Sequence, residues 1–411
     1  VKLEARDFPI LVTDAQTTAA LACLRSLSQA GYPVHILGEE GPSPLAFASR
    51  HARLKAVGPR YDDPRFGPWI EAYLREHGIR LVLPTERFLH SLGPRLASVL
   101  PLLHARVSEE SLRRSLSKYD LFESFHAAGD PRLLENLPPH LLVRLSEEPP
   151  SAAALTALGS PLFLKIDRGH RLDQGSSEVL KVEDARAALA LLKQLRGRVS
   201  KVLVQGFVRG RGVGAFLLRW QGRVHADFCH VRLHEVPYTG GYSSLRAPHF
   251  DPRLIEDSER RAAALGWEGP AMFEYRQDAD SKDFRLMELN PRFWGSLHLA
   301  LYAGVDFPRI LAELARGERP APLRGPRGGP TARLLVPAEF QHLLSRLKAR
   351  ELSLFSKAAS VVVFFALFLH PRVRDDLFYP GDRKLYWNVL RNYMGQAAVG
   401  ISNKIRRRLR R

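Results

Sequence analysis

Residues 271 to 295, AMFEYRQDADSKDFRLMELNPRFWG, leave little freedom in how they fold. Two apolar runs flank the polar turn Asp278 to Asp283, which is a hairpin signal. With the turn centred near Ser281, paired positions sum to about 562, so Glu274 falls opposite Glu288 on one face. Asn290 and Arg292 continue that face if the chain stays extended past the strand end. Two carboxylates facing each other across a strand pair repel, and they are held most easily with a cation between them. Magnesium suits the place, because it prefers oxygen ligands and takes one or two carboxylates plus an amide oxygen. Glu274, Glu288 and Asn290 are therefore the expected metal ligands, with Arg292 beside a phosphoryl group in transfer. The bland alternative is a solvent-facing hairpin edge, which gives no reason for Asn-Pro-Arg directly after the second glutamate.

A second charged residue stands where it is costly. Lys165 lies in the apolar run Leu162 to Ile166, and an ammonium there needs an anion to meet it. Further on, ADFCHVRLHE places His230, Arg232 and His234 on one strand face and Cys229, Val231 and Leu233 on the other. That pattern fits a wall of an anion-binding cleft or a solvated strand face. Arg232 is preferred to the histidines as the anion contact, since a guanidinium grips carboxylate in a two-pronged geometry. In the following loop EVPYTGGYSS, the backbone of Gly240 and Gly241 can approach a bound carboxylate or phosphate. GRGVGA at 210 to 215 imitates a dinucleotide fingerprint, but the next residues, FLLRWQGRVHADF, read as a strand hairpin and not as a phosphate-binding helix, so a tight turn is expected.

A chain of 411 residues suits two or three domains. The first hundred residues alternate apolar runs with helical segments, at Phe8 to Thr13, Thr17 to Ala30, Pro33 to Leu37, Pro68 to His77 and Arg80 to Pro84. This spacing predicts a doubly wound parallel sheet. No GxxxxGK[ST] sequence occurs, so a P-loop is excluded. From Ser108 a helical stretch, the Pro-rich segment Pro138 to Pro150 and a strand, helix, strand unit lead into antiparallel strands. The Gly/Pro break GPRGGP precedes a helical remainder. The expected class is α/β, turning to α+β in the catalytic part. Its expected divisions are 1–107, 108–325 with a lid subdomain at about 151–208, and a helical basic extension at 326–411.

The net charge of +18 is concentrated at the end, where residues 323 to 411 hold 18 Lys or Arg against 5 Asp or Glu. A nucleic-acid binder more often carries such charge on its folded domain, so nucleic acid is not the expected partner. The terminal KIRRRLRR suits any anionic surface: either a packed helical subdomain ends in a solvated tail, or the extension touches an anionic membrane peripherally. The apolar stretch Ala358 to Leu369 falls short of the roughly 20 residues of a spanning helix. Two cysteines, Cys23 and Cys229, are too few for a disulfide framework, and the opening VKLEARDFPILV lacks the features of a signal peptide. A cytoplasmic protein is expected, with membrane-peripheral attachment as the variant.

Glu288-Leu289-Asn290-Pro291-Arg292, within MELNPRFWGSLHLALYAGVDFP, resembles the last metal-binding strand of the ATP-grasp superfamily and looks like its carbamoyl-phosphate-synthase-like branch. The resemblance covers roughly residues 8 to 320. It implies an N-terminal pre-ATP-grasp domain, a two-lobed ATP-grasp domain, and use of ATP with Mg²⁺, or Mn²⁺ in its place. It further implies that Lys118 and Lys165 bind the nucleotide phosphates and that Gln205, Phe207 and Val208 line the adenine, Gln205 standing where many members have Glu. The loop RGHRLDQGSS after Lys165 departs from the family in being poor in glycine; Gly175, Ser176 and Ser177 are its candidate phosphate contacts. The activity implied is carboxylate–amine ligation through an acyl phosphate, with Arg292 stabilising the intermediates and small-molecule carboxylate and amine substrates. The alternatives are an ATP-grasp carboxylase or thiol-ester-forming synthetase, or a non-catalytic binder of anionic surfaces.

Overall fold

The computed structural model describes residues 4–173, 175–278, 280–326 and 328–395, so the basic tail at 404–411 lies outside the described residues. Two compact units share the chain. The described residues of Val1–His104, His230–Phe250 and Phe293–Arg411 make the first, and those of Ala105–Cys229 and Asp251–Arg292 the second.

The first unit begins with strands β1 (Ile10–Val12), β2 (Val34–Glu39), β3 (Leu54–Gly58) and β4 (Leu81–Leu83), all parallel, in the order β3-β2-β1-β4. β1 and β4 are buried throughout, as strands covered on both faces are. Between β1 and β2, helix Thr18–Gln29 starts where the Thr17 hydroxyl accepts the Ala20 amide at 3.1 Å. The expected doubly wound sheet is present. β3 escapes sequence detection because it is an edge strand with only Ala56 and Gly58 buried.

In the second unit, β5 (His140–Arg144), β6 (Leu162–Ile166), β7 (Glu178–Val182) and β8 (Lys201–Gly206) form an antiparallel sheet ordered β5-β8-β6-β7. Helices Ala152–Ala157 and Ala185–Leu195 cover one face, with Leu155, Ala188 and Leu192 packed among Leu162, Leu164 and Val204. Truncating such a residue, as in Leu192→Ala, costs about 2–5 kcal/mol. β5 lies inside the segment that reads as Pro-rich connection. β7 ends at Val182, and Asp184 opens the following helix, its carboxylate accepting the Ala187 amide at 2.8 Å.

β9 (Arg211–Trp220) and β10 (Arg223–Val236) are neighbours joined at Gln221 and Gly222, both with positive φ as a two-residue hairpin turn demands. Gly210 just before β9 has φ +124°, and a Cβ there would stand 2.4 Å from the Gln277 carbonyl oxygen. GRGVGA is thus a tight turn entering a strand. β10 leaves the second unit after Cys229, and its remainder pairs in the first unit with β11 (Tyr242–Pro248). Back in the second unit, β12 (Gly269–Gln277) pairs with β9 and with β13 (Phe284–Asn290).

The C-terminal part is helical, through Phe340–Lys348, Leu354–Leu369 and residues 383–395, but it also holds short strands. After β14 (Leu323–Arg324), β15 (Thr331–Arg333) pairs with β11 and with β16 (Val373–Asp375). Buried charge ties the segment after β16 into the first unit. Arg25 donates to Asp382 at 3.0 Å and to the Asp376 carbonyl at 2.6 Å, the Ser49 hydroxyl donates to Asp382 at 2.7 Å, and Arg246 pairs with the Asp376 carboxylate.

Candidate active site

Within the second unit, the β12–β13 register sets Glu274 opposite Glu288 and Met272 opposite Asn290. Between Glu274 and Tyr275 the register slips, making Met287 the extra residue of a bulge. At this bulge the Met287 carbonyl accepts from Lys165 Nζ at 3.4 Å. Asn290 completes the acidic face: its Nδ2 donates to Glu288 at 3.1 Å and to Glu274 at 3.4 Å. Arg292 Nη2 in turn donates to Asn290 Oδ1 at 3.0 Å. Four side chains from one hairpin end therefore form one hydrogen-bonded group, in which a neutral amide joins two carboxylates to a guanidinium.

Two lysines meet this face. Lys118, first residue of helix Lys118–Ala127, holds its Nζ 3.0 Å from Glu288 Oε2, with about a quarter of each side chain exposed. Lys165, on β6, is buried and donates to Gln205 Oε1 on β8 at 2.7 Å. Burial pushes the Lys165 ammonium down to about 8, with Lys118 adding to the fall and Glu288, Asp167 and Glu274 opposing it. Burial would raise Glu288, but Lys118 and Lys165 hold its carboxyl well below the usual carboxylate range. A neutral amide in place of a carboxylate at Gln205 satisfies one ammonium proton without cancelling the charge. The site so keeps positive charge for an incoming anion.

Hydrogen-bond donors and an ammonium occupy the space where two carboxylates confront each other, which is where a cation belongs. The donor set of two carboxylates and one amide suits Mg²⁺, which fills its shell with water and phosphate oxygens. Among the described residues no group of three or more His, Cys, Asp or Glu gathers as a metal site.

Residues 202–329 match a family model described as "ATP-grasp in the biosynthetic pathway with Ter operon". Solved structures with the same architecture include an N5-carboxyaminoimidazole synthetase from Staphylococcus aureus complexed with ADP (TM-score 0.57, 16% identity, 78% of this chain and 80% of that one). Another is an L-amino acid ligase from Bacillus licheniformis (0.56, 16%, 76% and 75%). A third is the biotin carboxylase domain of a 2-oxoglutarate carboxylase from Hydrogenobacter thermophilus, in complex with MgADP, ADP and bicarbonate (0.59, 14%, 79% and 73%). The chain has the ATP-grasp fold.

The chain also matches acetyl-CoA carboxylase 2 of Arabidopsis thaliana, 25% identical over 248 residues, which is 58% of this chain but only 10% of that protein. Gln205 precedes Gly206, the last residue of β8, whose Cβ would stand 2.0 Å from the Leu158 carbonyl oxygen; only glycine allows this close approach. Phe207 and Val208 come directly after, Phe207 half exposed. In the loop after Lys165, an arginine is tied to the acids around it. Arg171 pairs with Asp173 at 2.8 Å and Glu178 at 3.2 Å, and the Ser177 hydroxyl accepts the Arg168 amide at 3.0 Å.

The remaining candidates belong to the first unit. His230 is fully buried, and burial, reinforced by Arg232, Arg246 and His249, pushes its pKa far below the usual imidazole range. The ring is uncharged at neutral pH and adds nothing to a cationic stripe. Arg232 Nη1 donates to the Gly241 carbonyl at 2.8 Å, next to Gly240. Register shifts on either side of His234 break the alternation, which leaves Leu233 exposed although an apolar face was expected there. One contributor was missed. Asp167, two residues past Lys165, is buried and accepts the Tyr119 amide and the Ser117 hydroxyl, each at 3.0 Å. It thereby fixes the start of the helix that carries Lys118; its signal is an acid closing an apolar strand.

Proposed function

We propose that this chain is an ATP- and Mg²⁺-dependent carboxylate–amine ligase working through an acyl phosphate. The observation that carries the reading is the confrontation of Glu274 and Glu288 beside Lys118 and Lys165, a set of charges matched to a triphosphate and its metal. Glu274, Glu288 and Asn290 are the proposed metal ligands; a half-turn of the Asn290 amide would present its oxygen to the pair. Bound there, Mg²⁺ would neutralise charge on the phosphate oxygens during transfer. Lys118 and Lys165 would orient the β- and γ-phosphates, with Gln205, Phe207 and Val208 along the adenine.

In the first step a substrate carboxylate oxygen bonds to the γ-phosphorus as its bond to the bridging oxygen breaks, and ADP leaves. In the second, an amine nitrogen bonds to the acyl carbon, the C–O bond to phosphate breaks, and the nitrogen gives up a proton to water. Arg292, held on Asn290, would stabilise negative charge in both steps. Arg232 and the Gly240–Gly241 turn are the proposed carboxylate contacts, with His230 acting as a neutral ring. No side-chain nucleophile is needed.

The test is a screen of amino acids and small carboxylates for ATP-dependent phosphate release, with product masses recorded. With the right carboxylate and no amine, hydroxylamine should trap a hydroxamate while ADP accumulates. Production of AMP and pyrophosphate would rule the mechanism out. The carboxylase structures of the same fold supply a second reading, which phosphate release with bicarbonate, unaffected by any amine, would favour.

A further inference from the structure

Helix Leu354–Leu369, LFSKAASVVVFFALFL, carries a single charged residue, Lys357. One side of it is engaged. Phe364 is buried with Leu335 and Val336 in a small core joined by Phe340 and Tyr386, and Ser360 and Ser356 accept from Arg346 at 2.7 and 3.1 Å. The other side holds Phe355, Ala358, Val362, Phe365 and Leu369, whose spacings of three and four align them in one stripe. The stripe is open: exposure is 85% for Phe355, 67% for Val362, 62% for Phe365 and 87% for Leu369. Trp387 and Met394, on the helix at 383–395, are exposed as well. Soluble monomers rarely leave an apolar surface of this kind uncovered.

Charge around the stripe is of one sign. Residues 341 to 395 contain nine Lys or Arg and four Asp or Glu. Three of the acids are turned inward: Asp376 against Arg246, Asp382 against Arg25, and Asp375 beside Arg333. Glu351 stays at the surface, bonded to Tyr238, whereas Arg350, Arg372, Arg374, Arg383, Lys384 and Arg391 are all exposed. The surface is therefore more basic than its composition.

We propose that this three-helix element docks the protein on an anionic lipid bilayer, the stripe entering the boundary between headgroups and acyl chains. Sixteen residues make a helix about 24 Å long, shorter than the roughly 30 Å hydrocarbon core, and no described helix is long and apolar enough to cross a membrane. An apolar face bordered by arginines is the composition of a helix lying in the interface plane. A second copy fits poorly, because a two-fold interface would set these basic residues against themselves. Anionic headgroups meet both features at once. This inference does not depend on the ligase reading.

The experiment pellets the full chain with vesicles of phosphatidylcholine alone and of phosphatidylcholine mixed with phosphatidylglycerol, at low and high salt. Binding to the mixed vesicles is expected, about tenfold weaker to the neutral ones and falling as salt rises. Brominated acyl chains should quench Trp387, while the buried Trp220, Trp267 and Trp294 are spared. Val362→Glu with Phe365→Glu, both facing outward, should lower binding about tenfold and leave the unfolding midpoint and ATP turnover unchanged. Equal binding to both vesicle types, or none at low salt, overturns the proposal. A dimer in buffer that the double variant converts to monomer would assign the stripe to a second copy. A lower melting temperature in that variant would mean that the chain covers the stripe itself.

Discussion

Both units bury charge, and the difference between the two clusters separates architecture from chemistry. In the first unit, Arg25, Arg246, Asp376 and Asp382 lie almost wholly out of solvent, and each guanidinium meets a carboxylate. Burial lifts Asp376 to about 6 despite Arg246 at its side, so the carboxylate is held there against its preference for water. Such a cluster is closed. In the second unit, Lys118 and Glu288 remain a quarter exposed, Lys165 leans on a neutral amide and a carbonyl, and two carboxylates share one amide. These charges are aligned but not cancelled, which is the condition of a site that a ligand completes.

Crossed substitutions sharpen the contrast. Glu288→Gln should lower ATP turnover about 1,000-fold or more and leave the fold intact, because it removes a proposed metal ligand while relieving repulsion with Glu274. Activity near wild type at saturating Mg²⁺ would sink the site. Asp382→Asn should do the opposite. It strands Arg25 in the interior and costs about 3–5 kcal/mol of stability, read from urea unfolding, while the molecules that stay folded turn over ATP normally. If both variants lost activity and stability together, the two clusters would not be different in kind.

pH distinguishes the open site more finely. The ligand-free Lys165 titrates near 8, below its ordinary 10.5, so the affinity-sensitive kcat/KM for ATP should fall about tenfold per pH unit well above 8. Bound phosphate favours the ammonium and should leave kcat flat over that range. Folding stability moves the other way. Between about 8 and 10.5 the unfolded lysine holds a proton that the folded one has released, so the ligand-free protein gains stability as pH rises. Lys165→Arg should flatten both profiles. A kcat/KM that stayed level to pH 10 would place the lysine away from the phosphates.

The parts of this structure that were legible in the sequence are those governed by local periodicity. Period-two alternation on either side of a polar turn put Glu274 across from Glu288, and an ammonium within LFLKI marked Lys165. The Met287 bulge was not legible, since a one-residue slip leaves the composition unchanged. β5 and β7 were missed because each is short and only partly buried, its pairing supplied by distant strands. The Arg25–Asp382 bond joins residues 357 apart, and nothing near either one hints at the other. The charge run of the C-terminal part was visible, but not that its acids turn inward and leave the surface basic.

The smallest effect expected concerns Ser117, which belongs to both kinds of interaction. Its hydroxyl accepts the Asp120 amide at 3.0 Å as the cap of the helix carrying Lys118, and it donates to the buried Asp167 at 3.0 Å. Ser117→Ala should cost about 1 kcal/mol of stability, the usual loss of a helix cap. The catalytic consequence should be slight, because the Tyr119 amide still donates to Asp167 at 3.0 Å and keeps the first turn in place. Lys118 then loosens without leaving Glu288, so KM for ATP should rise by about threefold, roughly 0.6 kcal/mol, with kcat unchanged. Calorimetry and steady-state kinetics on one preparation decide it. A large fall in kcat would move Ser117 into the reacting machinery, whereas unchanged stability would mean that Asp167 alone holds the helix start.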